Sequence, residues 1–119
     1  GMFGIDHLDD DLLIMRLHAS EQHLRPGGTV SGPAMFSLAD VAAYVATMSR
    51  IGKEALAGTT NCSIDFMRKP GPGDLIAEAR VLKLGRTLSV GDVLIFSPGV
   101  EGVIARASLT YSIPPRSIG

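Results

Sequence analysis

The chain has 119 residues, enough for one packed domain and too few for two. With 45 % apolar and 19 % charged residues it can build a core, which excludes a disordered chain. A formal net charge of −1 with no Lys/Arg block excludes a nucleic-acid footprint, and the single cysteine, Cys62, excludes an internal disulfide.

No Cys/His pair has metal-ligand spacing, and no apolar run approaches the ~18 residues that a membrane span needs. The first residues carry no signal-peptide pattern, so a cytoplasmic location is expected. Gly1 ahead of Met2 reads as an expression remnant, which leaves a single domain over residues 2–119.

The stretch "DLLIMRLHA" alternates, with Leu13, Met15, Leu17 and Ala19 on one face, and reads as the first strand. "RPGGTVSG" then leads into a long helix. Pro33 suits its first position, where the missing N–H has no role, with Gly32 or Ser31 as cap and Gly52 as a left-handed stop. Four further strands follow: "TTNCSIDFMR", "DLIAEARVLKL", "TLSVGDVLIF" and "GVIARASLTYSI". A break at "KPGPGD", a turn at "GR" and a loop at "SPGVEG" separate them. In the last strand Val103, Ala105, Ala107, Leu109, Tyr111 and Ile113 face one way, and Arg106, Ser108, Thr110 and Ser112 the other. One strand, one helix and four strands in series, without βαβ alternation, give an α+β fold: an antiparallel sheet packed on one helix.

That helix is apolar on nearly every side, with its polar residues on one stripe: Ser37, Asp40, Tyr44 and Thr47. A sheet can cover part of such a helix and a second subunit the rest. Asp40 lies seven residues past Pro33, roughly 10 Å along the axis, and so is not an N-cap. Its neighbours three and four residues away are Phe36, Ser37, Ala43 and Tyr44, none of them basic. A carboxylate in such surroundings is a candidate general base. The plainer alternative is that Asp40 accepts a hydrogen bond from Ser37 or a backbone group and serves only the fold.

The helix start offers a second element. The N–H groups of Gly32 and Ala34 can polarise a carbonyl oxygen, and a glycine lets a ligand come close to the backbone. At about 10 Å from Asp40 on the same helix, both cannot act on one carbonyl carbon from a single chain. If both act, one subunit's helix start meets the other's Asp40, and a dimer is required.

"SGPAMFSLAD" resembles the "HGGxxxxLxD" motif of hotdog-fold acyl-CoA thioesterases, in their PaaI-like (phenylacetate-pathway) branch, with matches at Gly32, Leu38 and Asp40. The likeness extends through "TTNCSIDFMRKPGPGDLIAEARVLKLGRTL" and the final strand, from about Leu13 to Ile113. It implies a hotdog fold, a curved antiparallel sheet wrapped around one long helix, assembled as homodimers and often homotetramers.

The resemblance also implies roles. Asp40 would activate water or attack the thioester carbonyl, the partner's Gly32 N–H would bind the carbonyl oxygen, and Thr60 would help to position the water. Thr60 shares parity with Cys62, Ile64 and Phe66 and so is expected to face the helix. The motif's His is Ser31 here, and its second Gly is Pro33, which has no N–H to donate. The Asn that some relatives place six residues before the His aligns with Arg25. Ser31, Pro33, Arg25 and Asn61 complete the implied substrate contacts, and Arg68, Lys69 and Arg86 would meet the phosphates of coenzyme A. Coenzyme A is part of the substrate, and no metal or other cofactor is implied.

The leading reading is therefore hydrolysis of an acyl-CoA to free acid and CoA. A non-catalytic acyl-CoA-binding domain and a hydroxyacyl-thioester dehydratase are the alternatives; the dehydratase relies on a His where Ser31 stands. Ala39, Ala42, Ala43 and Ala46 would either leave room for an acyl group or let the sheet pack closely. Cys62 is expected to pack as a small apolar residue, since no activating group is evident for its thiol.

Overall fold

A computed structural model of the chain describes residues 3–9, 11–18, 32–51, 58–71 and 73–113, residues 51 and 58–60 by their backbone alone. The elements are β1 (Phe3–Leu8), β2 (Leu13–Leu17), α1 (Gly32–Ile51), β3 (Gly58–Phe66), β4 (Leu75–Leu84), β5 (Leu88–Phe96) and β6 (Ala105–Ser112). The six strands form one sheet in the order β1-β2-β4-β5-β6-β3, antiparallel throughout. The helix packs on one face of this sheet, chiefly against β4 and β5. This is the curved-sheet-on-helix architecture of the hotdog fold.

The strands alternate as their sequences require. Leu13, Met15 and Leu17 of β2, Leu75, Ala77 and Ala79 of β4, and Ala105, Ala107, Leu109 and Tyr111 of β6 are buried toward α1. From the helix come Met35, Leu38, Ala39, Ala42, Ala43 and Ala46. The alanines thus serve close packing rather than an acyl cavity. Gly91 of β5 faces Ala43: a Cβ built on Gly91 would stand 4.0 Å from the Ala43 Cβ and 3.3 Å from the Arg80 carbonyl.

The structure departs from the sequence reading in four places. An additional strand, β1, pairs with β2. Its apolar residues do not alternate cleanly because the register shifts between Ile5 and His7, and it is an edge strand that leaves Ile5 and Leu8 exposed. At the entry to β6 the fully buried residue is Ile104, and Val103 is only half-buried. The strand alternation stops at Ala105 because the chain turns at Gly102, whose φ of 84° is left-handed.

The polar stripe of the helix is not continuous with solvent: Ser37 is exposed, but Thr47 is 1 % exposed and shares a 3.3 Å hydrogen bond with the buried Ser89 hydroxyl. Finally, β3 shifts register against β6 between Thr59 and Asn61, an irregularity that strand periodicity alone does not reveal. Gly52, Ser31, Arg25 and Ala19 lie outside the described residues. No described helix is long and apolar enough to cross a membrane.

Candidate active site

Gly32, Phe36, Asp40 and Tyr44 recur every four residues and therefore line one flank of α1. Contacts with the sheet fix which way that flank faces. Asp40 and Tyr44 meet Tyr111 of β6, and Gly32 meets Phe66 of β3, whose ring Cζ is 3.7 Å from where a Gly32 Cβ would stand. The flank thus looks across β6 toward the edge strand.

Asp40 is half-buried. The Tyr111 hydroxyl donates to its main-chain carbonyl at 2.8 Å and approaches its Oδ1 at 3.2 Å. Tyr111 is itself 1 % exposed, and the Tyr44 ring meets it edge-on with centroids 6.2 Å apart and planes at 60°. Cys62 on β3 pairs with the inward-facing Leu109 and completes this surface. Burial first, and then the negative charge of Asp40, push the Cys62 thiol above its ordinary 9.0. A thiol held up in this way carries less of the reactive thiolate, as expected of a packing residue.

Apolar groups share this side of the molecule with Asp40. Cys62 and Ile64 are half-buried against the core, while Phe36 and Phe66 remain 42 % and 52 % exposed near the helix start. Such a flank can hold an apolar group beside a carboxylate and a helix N-terminus, which suits proton transfer to or nucleophilic attack on a polarised carbonyl.

The other sequence candidates are dispersed. Pro33 is exposed in the first turn of α1. Asn61 is exposed and pairs with Thr110, on the sheet face away from the helix, so the structure does not bring it to Asp40. Thr60 belongs to β3 at the register shift, its side chain outside the description. Arg68 is exposed at the Phe66 end; its Nη1 donates to the Val103 carbonyl at 2.8 Å and packs over Gly102, and Lys69 is exposed beside it. Arg86 occupies the β4–β5 turn at the other end of the sheet. With Phe66 opposite Ala105 and Leu88 opposite Ser112, the two basic positions stand roughly 23 Å apart along β6 within one chain.

The residue that sequence reasoning missed is Tyr111, taken only as part of the inward face of the last strand. Its hydroxyl was the available signal: a tyrosine buried among alanine and leucine needs an internal hydrogen-bond partner.

Comparison with known proteins agrees with this architecture. Residues 27–104, more than half of the chain, match the family model described as the Thioesterase superfamily. A crystal structure from Silicibacter sp. TM1040, provisionally named a thioesterase, is 60 % identical with a TM-score of 0.91, over 97 % of this chain and 81 % of that one. A Haemophilus influenzae thioesterase, 18 % identical with a TM-score of 0.86 over 95 % of this chain and 78 % of that one, shares the fold alone. A curated Halobacterium salinarum protein, provisionally named an esterase, is 34 % identical over 76 residues, 61 % of this chain; the chain spans about half (50 %) of that relative's length. With residues 27–104 matching that family model and the sheet order and central helix in place, the chain belongs to the Thioesterase superfamily and has the hotdog fold.

Proposed function

We propose that the chain is an acyl-CoA thioesterase of the PaaI-like type, hydrolysing a medium-chain or aromatic acyl-CoA to the free acid and coenzyme A. The observation that carries this reading is the half-buried Asp40 carboxylate on an otherwise apolar helix flank, tied to Tyr111. Membership of the superfamily supports the reaction type. The exposed rings of Phe36 and Phe66 near Gly32 support an apolar acyl group.

A homodimer, itself paired in a homotetramer, supplies the rest of the site. β3 is the terminal strand of the sheet, nine residues long, and among the described residues only β6 pairs with it. Such an edge is a template for pairing with a second copy. Pairing there would bring the partner subunit's Gly32 toward Asp40.

In the reaction Asp40 takes a proton from a water that adds to the thioester carbonyl carbon. The carbonyl electron pair moves to oxygen, where the partner subunit's Gly32 N–H donates a hydrogen bond. The carbonyl re-forms, the C–S bond breaks, and the thiolate leaves with the proton held by Asp40. In the nucleophilic variant an Asp40 oxygen adds first and water then cleaves the anhydride. Label found in the Asp40 carboxyl after one turnover in heavy-oxygen water identifies the second route, since water attack on the aspartyl carbonyl of the anhydride puts it there and the general-base route never does.

The test is thiol release from short, medium, long and aromatic acyl-CoAs. Turnover of the medium or aromatic members is expected. Acyl-CoA binding without turnover would replace this reading with a non-catalytic binding domain, the outcome that Ser31 in place of the motif His makes worth measuring.

A further inference from the structure

We infer that Tyr111 is a positioning residue for Asp40, holding it from β6 at two atoms at once; this rests on the thioesterase reading of Asp40. The hydroxyl has one proton and two acceptors. The main-chain carbonyl at 2.8 Å lies at the usual O–H···O separation, whereas Oδ1 at 3.2 Å lies beyond it. The stronger bond therefore goes to the backbone. Within the helix that carbonyl also faces the Tyr44 N–H, so Tyr111 uses its second lone pair.

By anchoring the backbone and approaching Oδ1 at the longer distance, Tyr111 fixes where Asp40 stands. The anchor is itself rigid: Tyr111 is 1 % exposed, its ring is met by Tyr44, and its strand is paired on both sides, by β5 and β3. The sheet thus sets the position of the helix's one carboxylate. Misplacing a reacting group by a fraction of a bond length slows chemistry without changing substrate affinity.

The experiment compares wild type, Tyr111→Phe, Asp40→Asn and the double variant on whichever acyl-CoA the wild type hydrolyses. Phenylalanine keeps the ring and its contact with Tyr44 and removes only the hydroxyl. We expect Tyr111→Phe to lower kcat about tenfold with KM unchanged, and to cause no further loss in the Asp40→Asn background. An unchanged kcat, or the same loss in both backgrounds, would overturn the positioning role while leaving Asp40 as base or nucleophile. Wild-type turnover by Asp40→Asn would instead overturn the reading of Asp40, and this inference with it. Should Tyr111→Phe fold poorly, ring-fluorinated tyrosine at 111 keeps the packing and varies only the acidity of the hydroxyl. A kcat that follows that acidity supports the role; a flat series overturns it.

Discussion

Gly32 and Asp40 stand two turns apart on one flank of α1, about 12 Å along its axis. No acyl carbonyl spans that distance, so a site using both must draw them from two subunits. Mixing Asp40→Asn with Gly32→Val subunits tests this, because one site of each mixed dimer then receives an intact Gly32 and an intact Asp40. With two sites per dimer and random pairing, activity returns to about one quarter of wild type. A site contained in one chain would leave every mixture inactive.

Among the described residues, nothing requires a glycine at 32. Its φ is not left-handed, and an added Cβ would make only ordinary contact with Phe66 at 3.7 Å. Gly32→Ala should therefore fold with its melting temperature kept or slightly raised, since alanine is the better helix former. Turnover is expected to fall about tenfold, because the methyl group would stand where the thioester must approach. Equal activity in the variant would remove Gly32 from the site.

Cys62 reports on the charge of Asp40. Its thiol is held above the ordinary 9.0 by burial and then by that charge. Because the folded-state value is raised, the contribution to stability is present below the unfolded value and is lost as pH rises above about 9. Iodoacetamide should react slowly with the native protein near pH 8 and faster in Asp40→Asn, where the charge is gone. Cys62→Ala should keep thioester turnover; its loss would make the thiol part of the chemistry.

At the β1–β2 turn the sign is opposite. The hydrogen bond from His7 Nε2 at 2.7 Å, then the Asp11 and Leu12 N–H groups at 2.8 Å each, hold Asp9 down at about 2. A lowered folded-state value gives a contribution present above the ordinary 3.8 and lost as pH falls toward 2. Amide exchange at Asp11 and Leu12 should stay slow, relative to an Asp9→Ala variant, until that window. Protection lost already at pH 5 would contradict the assignment.

Much of this fold was legible in the sequence because its strands alternate strictly, as Leu13, Met15 and Leu17 or Ala105 to Tyr111 do. β1 was not, since a register shift and charged residues break its period. Asp40 was conspicuous as a lone acid in an apolar helix. Its partner was not, because Tyr111 is 71 residues away and only the antiparallel return of β6 brings them together. Thr60 was named on the family resemblance with its parity as support, and the register shift of β3 at that residue was not legible in the sequence.

The central claim is that the Asp40 carboxylate carries out thioester hydrolysis. The direct measurement is kcat for acyl-CoA hydrolysis in wild type and Asp40→Asn, with melting temperature and oligomeric state recorded for both. Asparagine retains an acceptor for Tyr111 but cannot take a proton or attack. The account predicts a loss of at least about a hundredfold in kcat with fold and assembly preserved. Undiminished turnover in a folded Asp40→Asn protein would contradict it.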